Sequence, residues 1–240
     1  MTRIVAIGGG GFLMEDSNSP IDDYLLTLTG KSCPRICFVP TPSGDSEEHL
    51  EKFYAAFSRK DCRPSHLAFF RKQRPNALPL SDYPEHLLAQ DAIFVGGGNT
   101  KSALAVWREW KLDAALKQAW SAGVVLSGMS AGALCWFQVG VSDSFGDSIY
   151  RPLPALGFIP GACATHYSET PHRRISLHAA VEAGEAPDTI AIDEGAAVVF
   201  TGVEVERVVS WQDGCAAYRV SRQAGRAHEI AYACERIGGK

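Results

Sequence analysis

The sequence predicts an α/β protein with a mostly parallel sheet, helices on both faces and a mixed or antiparallel strand extension at the C-terminal end. Three observations lead there. Short apolar runs alternate with amphipathic helical stretches through the first two thirds, the pattern of parallel strands joined by covering helices. Several of those runs stop abruptly at glycine clusters. After residue 189 the helical spacing gives way to short runs separated by turn residues. At 240 residues, 46% of them hydrophobic, the chain can bury one substantial core, and a single domain over residues 1–240 is expected.

Residues 3–7 read as a buried strand ended by Gly8-Gly9-Gly10-Gly11, and residues 22–28 carry a helical pattern. A second strand over 35–39 is stopped by Pro40-Thr41-Pro42. The helix predicted over 46–58 starts with Ser46, Glu47 and Glu48 and gathers Leu50, Phe53 and Phe57 on one face. Strands follow at 66–70 and 92–95, the latter ending in Gly96-Gly97-Gly98. The spacing of Leu104, Trp107, Leu112, Leu116 and Ala119 predicts one long helix over 99–120, with Trp107, Trp110 and Trp120 expected in the core. Residues 124–127 form a fifth strand and 131–137 begin another helix. Four short strands are expected at 189–192, 196–200, 204–210 and 216–220.

The formal net charge of −4, from 23 basic and 27 acidic residues, argues against a nucleic-acid-binding face. No apolar run approaches a membrane span, and the N-terminus lacks the apolar stretch of a signal peptide. Seven scattered cysteines read as reduced, buried thiols, so a cytoplasmic location is expected. The sequence is compatible with a homo-oligomer.

The sharpest chemical signal is Gly128-Met129-Ser130-Ala131-Gly132, a G-x-S-x-G pattern between a predicted strand and a helix. A sharp strand-to-helix turn would hold Ser130 in strained geometry and push its hydroxyl outward, and side chains at Gly128 or Gly132 would clash. The helix after Ser130 directs free N–H groups at the place where an oxyanion would form, which makes Ala131 N–H one candidate donor. The Gly96-Gly97-Gly98-Asn99-Thr100 loop ends the neighbouring strand, so Gly98, or alternatively Gly97, is the second. Neither glycine cluster completes a dinucleotide or phosphate-loop pattern.

A serine nucleophile needs a base. Of seven histidines, His166 ends a short apolar segment at the expected catalytic edge, with His172 its nearest rival. Asp143 and Asp147, between Ser130 and His166, are the carboxylates available to orient the imidazole.

Together the GGGNT loop at 96–100, Gly128-Met129-Ser130-Ala131-Gly132-Ala133 and Leu156-Gly157-Phe158-Ile159-Pro160 leading to His166-Tyr167 resemble the peptidase E (aspartyl dipeptidase) and cyanophycinase family. Ile192-Asp193-Glu194-Gly195-Ala196-Ala197 resembles a later family segment. The resemblance implies a flavodoxin-like three-layer sandwich related to class I glutamine amidotransferases, and a serine peptidase needing no metal or cofactor. It implies Ser130 as nucleophile and His166 as base, with Asp143 fitting the acidic position best and Asp147 second. A small peptide is the implied partner, with Asn99 and Thr100 as substrate contacts. Specificity for an N-terminal Asp requires a cation, and Arg173 and Arg174 after His166 are the candidates. The stretch after His166 is shorter than in strict aspartyl dipeptidases, which leaves room for a broader exopeptidase, a cyanophycinase-like hydrolase or a non-peptide ester or amide hydrolase.

Overall fold

In the computed structural model, which describes residues 1–15, 18–70, 75–146 and 149–238, the strands β1 (Arg3–Ile7), β2 (Arg35–Val39), β3 (Arg63–His66), β4 (Ala92–Val95) and β5 (Val125–Met129) alternate with helices. These helices are α1 (Pro20–Thr27), α2 (Glu47–Phe57), α3 (Tyr83–Leu88), α4 (Thr100–Trp110) and α5 (Leu112–Ser121). The short helix α6 (Ala131–Leu134) is followed by β6 (Phe137–Ser142), β7 (Arg151–Pro154) and β8 (Ile159–Thr165). Then come α7 (Pro171–Ala183), β9 (Thr189–Ile192), β10 (Ala196–Thr201), β11 (Glu204–Ser210), β12 (Ala217–Gln223), β13 (Arg226–Ala231) and β14 (Cys234–Arg236).

The strands form two sheets. One has eight strands in the order β14-β11-β10-β1-β5-β4-β2-β3, with β1 to β5 mutually parallel where they pair and β10 antiparallel to β1. Its central strands are apolar along their whole length because both faces are buried. Ile4, Ala6, Ile93 and Val95 share a core with Leu104 and Trp107 of α4 and Leu112 and Leu116 of α5. Val5, Ile7, Phe38 and Phe94 face the other way, onto Ile21 and Leu25 of α1 and Leu50, Phe53 and Phe57 of α2. The predicted edge extension is thus only part of the addition. A second sheet of six strands runs β13-β12-β9-β8-β6-β7, with β6, β8 and β9 parallel and the flanking strands antiparallel. Phe137, Ile159 and Cys163 from this sheet enter the first core, and α7 covers its other side through Leu177 and Val181.

Several features depart from the sequence reading. The long helix over 99–120 is two helices, because Lys111 takes a left-handed conformation with φ 59°. Trp107 and Trp120 are buried, but Trp110 is 43% exposed and packs against Phe69. The helix after Ser130 stops at Leu134, and the chain re-enters strand at Phe137. Among the cysteines, Cys37, Cys135 and Cys163 are buried thiols, whereas Cys33 and Cys234 are exposed. No described helix is long and apolar enough to cross a membrane.

Candidate active site

Ser130 sits between β5 and α6 with φ 56° and ψ −116°, a conformation that costs a non-glycine residue about 1–3 kcal/mol. Its two flanking glycines are required by space. A Cβ on Gly128 would lie 2.3 Å from the Gly132 carbonyl oxygen, and one on Gly132 would lie 2.1 Å from that of Val95. The turn therefore closes only with hydrogen at both positions.

His166 follows β8, also at positive φ (53°). Its Nδ1 lies 2.6 Å from Glu194 Oε1. With the ring proton donated from Nδ1 to the carboxylate, Nε2 is left as the basic nitrogen. The pair is partly screened from water, with side-chain exposures of 13% for His166 and 34% for Glu194. Glu194 is held by the turn between β9 and β10, where the buried Asp193 accepts hydrogen bonds through Oδ2 from Ala216 N–H (3.0 Å) and the Tyr218 hydroxyl (3.2 Å).

The carboxylate that meets His166 is thus Glu194 and not Asp143, and the topology gives the reason. Strand β8 lies between β6 and β9, all three parallel, with Thr165 opposite Ile192. Asp143, just beyond β6, lines the cleft, whereas Glu194, just beyond β9, is the carboxylate that meets Nδ1 of the ring. Asp143 lies beside Tyr150 instead; burial pushes that phenol above its usual range, Arg173 pulls it back, and the Asp143 carboxylate adds to the rise. Asp147 lies outside the described residues. Glu194 stood in the sequence only as the middle of a turn, and the one signal that could have found it was the family-like segment around it.

A cleft of about 220 Å³ joins these parts, lined by Gly98, Thr100, Ser130, Ala131, Asp143, Tyr150, His166 and Arg173 among others. Ser130 and His166 both line it without a hydrogen bond between their side chains; such bonds commonly tighten only in the Michaelis complex. A larger cavity of about 360 Å³, beside Leu50, Tyr54 and His66, includes none of the expected catalytic residues.

The other expected residues divide. Gly98, at φ 136° and where a Cβ would lie 2.1 Å from the Pro42 carbonyl oxygen, and Ala131 line the cleft, while a Cβ on Gly97 would lie 3.5 Å from that of Ser130. Asn99 is committed to structure: its Oδ1 caps α4 by accepting from Ser102 N–H (2.9 Å), and its Nδ2 donates to Ser144 O. Thr100 is buried at the cleft wall, and its hydroxyl has no hydrogen-bond partner among the described residues. Arg173 lines the cleft, lies over the Tyr150 ring (4.6 Å) and pairs with Glu169 (3.0 Å). Arg174 turns away to Glu229 and the rings of Tyr167 and Tyr218. His172 is exposed on α7. Ligand atoms of His166, Glu169 and Glu194 lie within 4.8 Å of one another, a set able to meet a cation, although each already has a protein partner.

The chain is 43% identical over 231 residues to a protein of Bacillus subtilis (strain 168) described as "Uncharacterized peptidase YgaJ", covering 96% of each. Its fold is similar to the crystal structure of a peptidase from an acI-B1 Actinobacterium (TM-score 0.71, 16% identity, 100% of this chain and 96% of that one). It is also similar to that of a putative peptidase E protein from Listeria monocytogenes EGD-e (TM-score 0.62, 18% identity, 88% of this chain and 100% of that one). The profile of peptidase family S51 matches residues 4–208, and the chain belongs to that family of serine-type peptidases.

Proposed function

We propose that the protein is an exopeptidase for short peptides, most active on dipeptides with an N-terminal Asp, working through Ser130, His166 and Glu194. The observation that carries this reading is a strained serine sharing one small cleft with a histidine whose Nδ1 is 2.6 Å from a carboxylate. Ser130 Oγ attacks the peptide carbonyl carbon as His166 Nε2 takes its proton. The N–H groups of Gly98 and Ala131 hold the oxyanion, with Gly97 the alternative to Gly98. The C–N bond then breaks, His166 gives its proton to the leaving amine, and an acyl ester remains on Ser130. Water deprotonated by His166 adds to that ester, and Ser130 recovers its proton as the acid leaves. Glu194 keeps Nδ1 protonated and offsets the imidazolium charge.

Arg173 is the cation placed to meet an acidic side chain, and Thr100 a further wall of the same pocket. The Glu169 partner of Arg173 offsets part of that charge, which favours a broader exopeptidase as the second reading. The 3-2-4-5-1 order of the parallel strands, covered on both faces, supports a flavodoxin-like sandwich, and the core shared by both sheets supports a single domain. The free cysteines are in keeping with a cytoplasmic location.

The test is release of amino acids from Asp-Leu, Ala-Leu and Leu-Asp. Cleavage of Asp-Leu above the others, abolished in Ser130→Ala and lowered about 10²–10⁴-fold in kcat by Glu194→Gln, is expected. Full activity in Glu194→Gln would remove Glu194 from the mechanism, and equal cleavage of all three would discard the acidic preference.

A further inference from the structure

We propose that Asp143 receives the free α-ammonium group of the substrate, so that the site selects peptides by their N-terminus. The inference rests on the exopeptidase reading and deepens it. Three observations meet here. First, Glu194 occupies Nδ1 of His166, so the orienting role is filled and the second carboxylate at the cleft has no place in it. Second, Asp143 is exposed into the cleft that holds Ser130, and among the described residues no lysine or arginine pairs with it; the Tyr150 phenol beside it is neutral. A carboxylate with no cationic partner keeps its acceptor capacity for an incoming cation.

Third, the geometry suits the N-terminal residue of a peptide. The reacting carbonyl carbon must lie at Ser130 Oγ, and in an N-terminal residue the ammonium is bonded to the very next carbon. The carboxylate that binds it must therefore line the same small space, as Asp143 does. A cleft of about 220 Å³ is below the roughly 300–1,000 Å³ of sites for drug-sized ligands, so there is little room for a chain continuing past that residue. Arg173, across the Tyr150 ring, has the opposite charge. The pair thus distinguishes the ammonium from an acidic side chain on one residue: the first goes to Asp143, the second to Arg173. An acetyl cap would remove the charge and leave Asp143 facing an amide.

Binding measured apart from catalysis separates this proposal from the reaction mechanism. In the Ser130→Ala protein, Asp-Leu and N-acetyl-Asp-Leu are titrated by calorimetry, with and without Asp143→Asn. The expected result is a preference of about tenfold or more for the free amine, collapsing toward one in Asp143→Asn and partly kept in Asp143→Glu, which preserves the charge. Thermal unfolding of each variant shows that the fold is retained. Equal affinity for capped and free peptide, or an unchanged ratio in Asp143→Asn, would overturn the proposal even if wild-type turnover proves the serine peptidase reading. Conversely, a preference that depends on Asp143 in a protein that cleaves no peptide would keep this inference and sink the catalytic one.

Discussion

Ser130 and His166 are among the few non-glycine residues held at positive φ, and both line the cleft. On the proposed mechanism, strain concentrated at such residues trades stability for a side chain presented to the substrate. The trade can be measured by comparing Ser130→Gly with Ser130→Ala. Both are expected to be inactive, but glycine accepts φ 56° without the steric cost that alanine retains. Ser130→Gly should therefore be more stable than Ser130→Ala by about 1 kcal/mol in urea denaturation. Equal stability would mean that the turn carries no strain. The serine was legible in the sequence because both of its glycines lie two residues away, one on each side, although the clash that demands Gly132 comes from Val95 on the neighbouring strand. Glu194 was not legible in the same way: it meets His166 across 28 residues of chain, and only the adjacency of β8 and β9 makes the contact.

The end of β1 ties the site together. Ile7 O accepts from Ser130 N–H (3.1 Å), Gly8 O from His166 N–H (3.3 Å) and Gly9 O from Gly195 N–H (2.9 Å), so three successive carbonyls hold Ser130, His166 and the residue after Glu194. In the sequence, Gly8 to Gly11 read as a tight turn, and nothing local indicated what the missing side chains make room for. A Cβ at Gly9 would lie 2.9 Å from His166 Nδ1 and 2.8 Å from Glu194 Cγ. Both neighbours are side chains able to shift, unlike the Asp193 carbonyl oxygen 2.0 Å from a Cβ at Gly8. Gly9→Ala is thus expected to fold yet displace the imidazole, lowering kcat by about 10²-fold, with near wild-type thermal unfolding. Wild-type kcat would show that the ring has another productive position. Elsewhere the elements were hidden for other reasons. Lys is a good helix former, so the left-handed Lys111 between α4 and α5 left no mark on the hydrophobic spacing. Strands β7 and β8 carry Pro152, Pro154, Pro160 and Gly161, residues that argue against strand when read locally.

At the scale of the whole molecule, the parallel layer was legible because its strands are buried on both faces and read as unbroken apolar runs, whereas the second sheet depends on long-range pairing that no local pattern encodes. The core on the α1 and α2 side of the large sheet also contains a charge problem. Asp22 of α1 is 1% exposed beside Gly11, and neither carboxylate oxygen meets a hydrogen-bond partner of good geometry among the described residues. Burial pushes its carboxyl up to about 7, offset only partly by the nearby Phe12 N–H and the Lys60 charge. The folded protein therefore holds this proton more tightly than the unfolded chain, whose carboxyl titrates near 3.8. The stabilisation is fully present below about pH 4, is lost as pH rises toward 7, and changes no further once the carboxyl is ionised in both states. One proton limits the slope to about 1.4 kcal/mol per pH unit, and the full effect is on the order of a few kcal/mol. Asp22→Asn cannot ionise, so it should be more stable than the wild type at pH 8, with the advantage shrinking steadily toward pH 5. Urea denaturation of both proteins at pH 5, 6, 7 and 8 isolates this group, because every other titration is common to the pair. Parallel stability curves would show that Asp22 stays ionised in the folded state and that its charge is met by the protein.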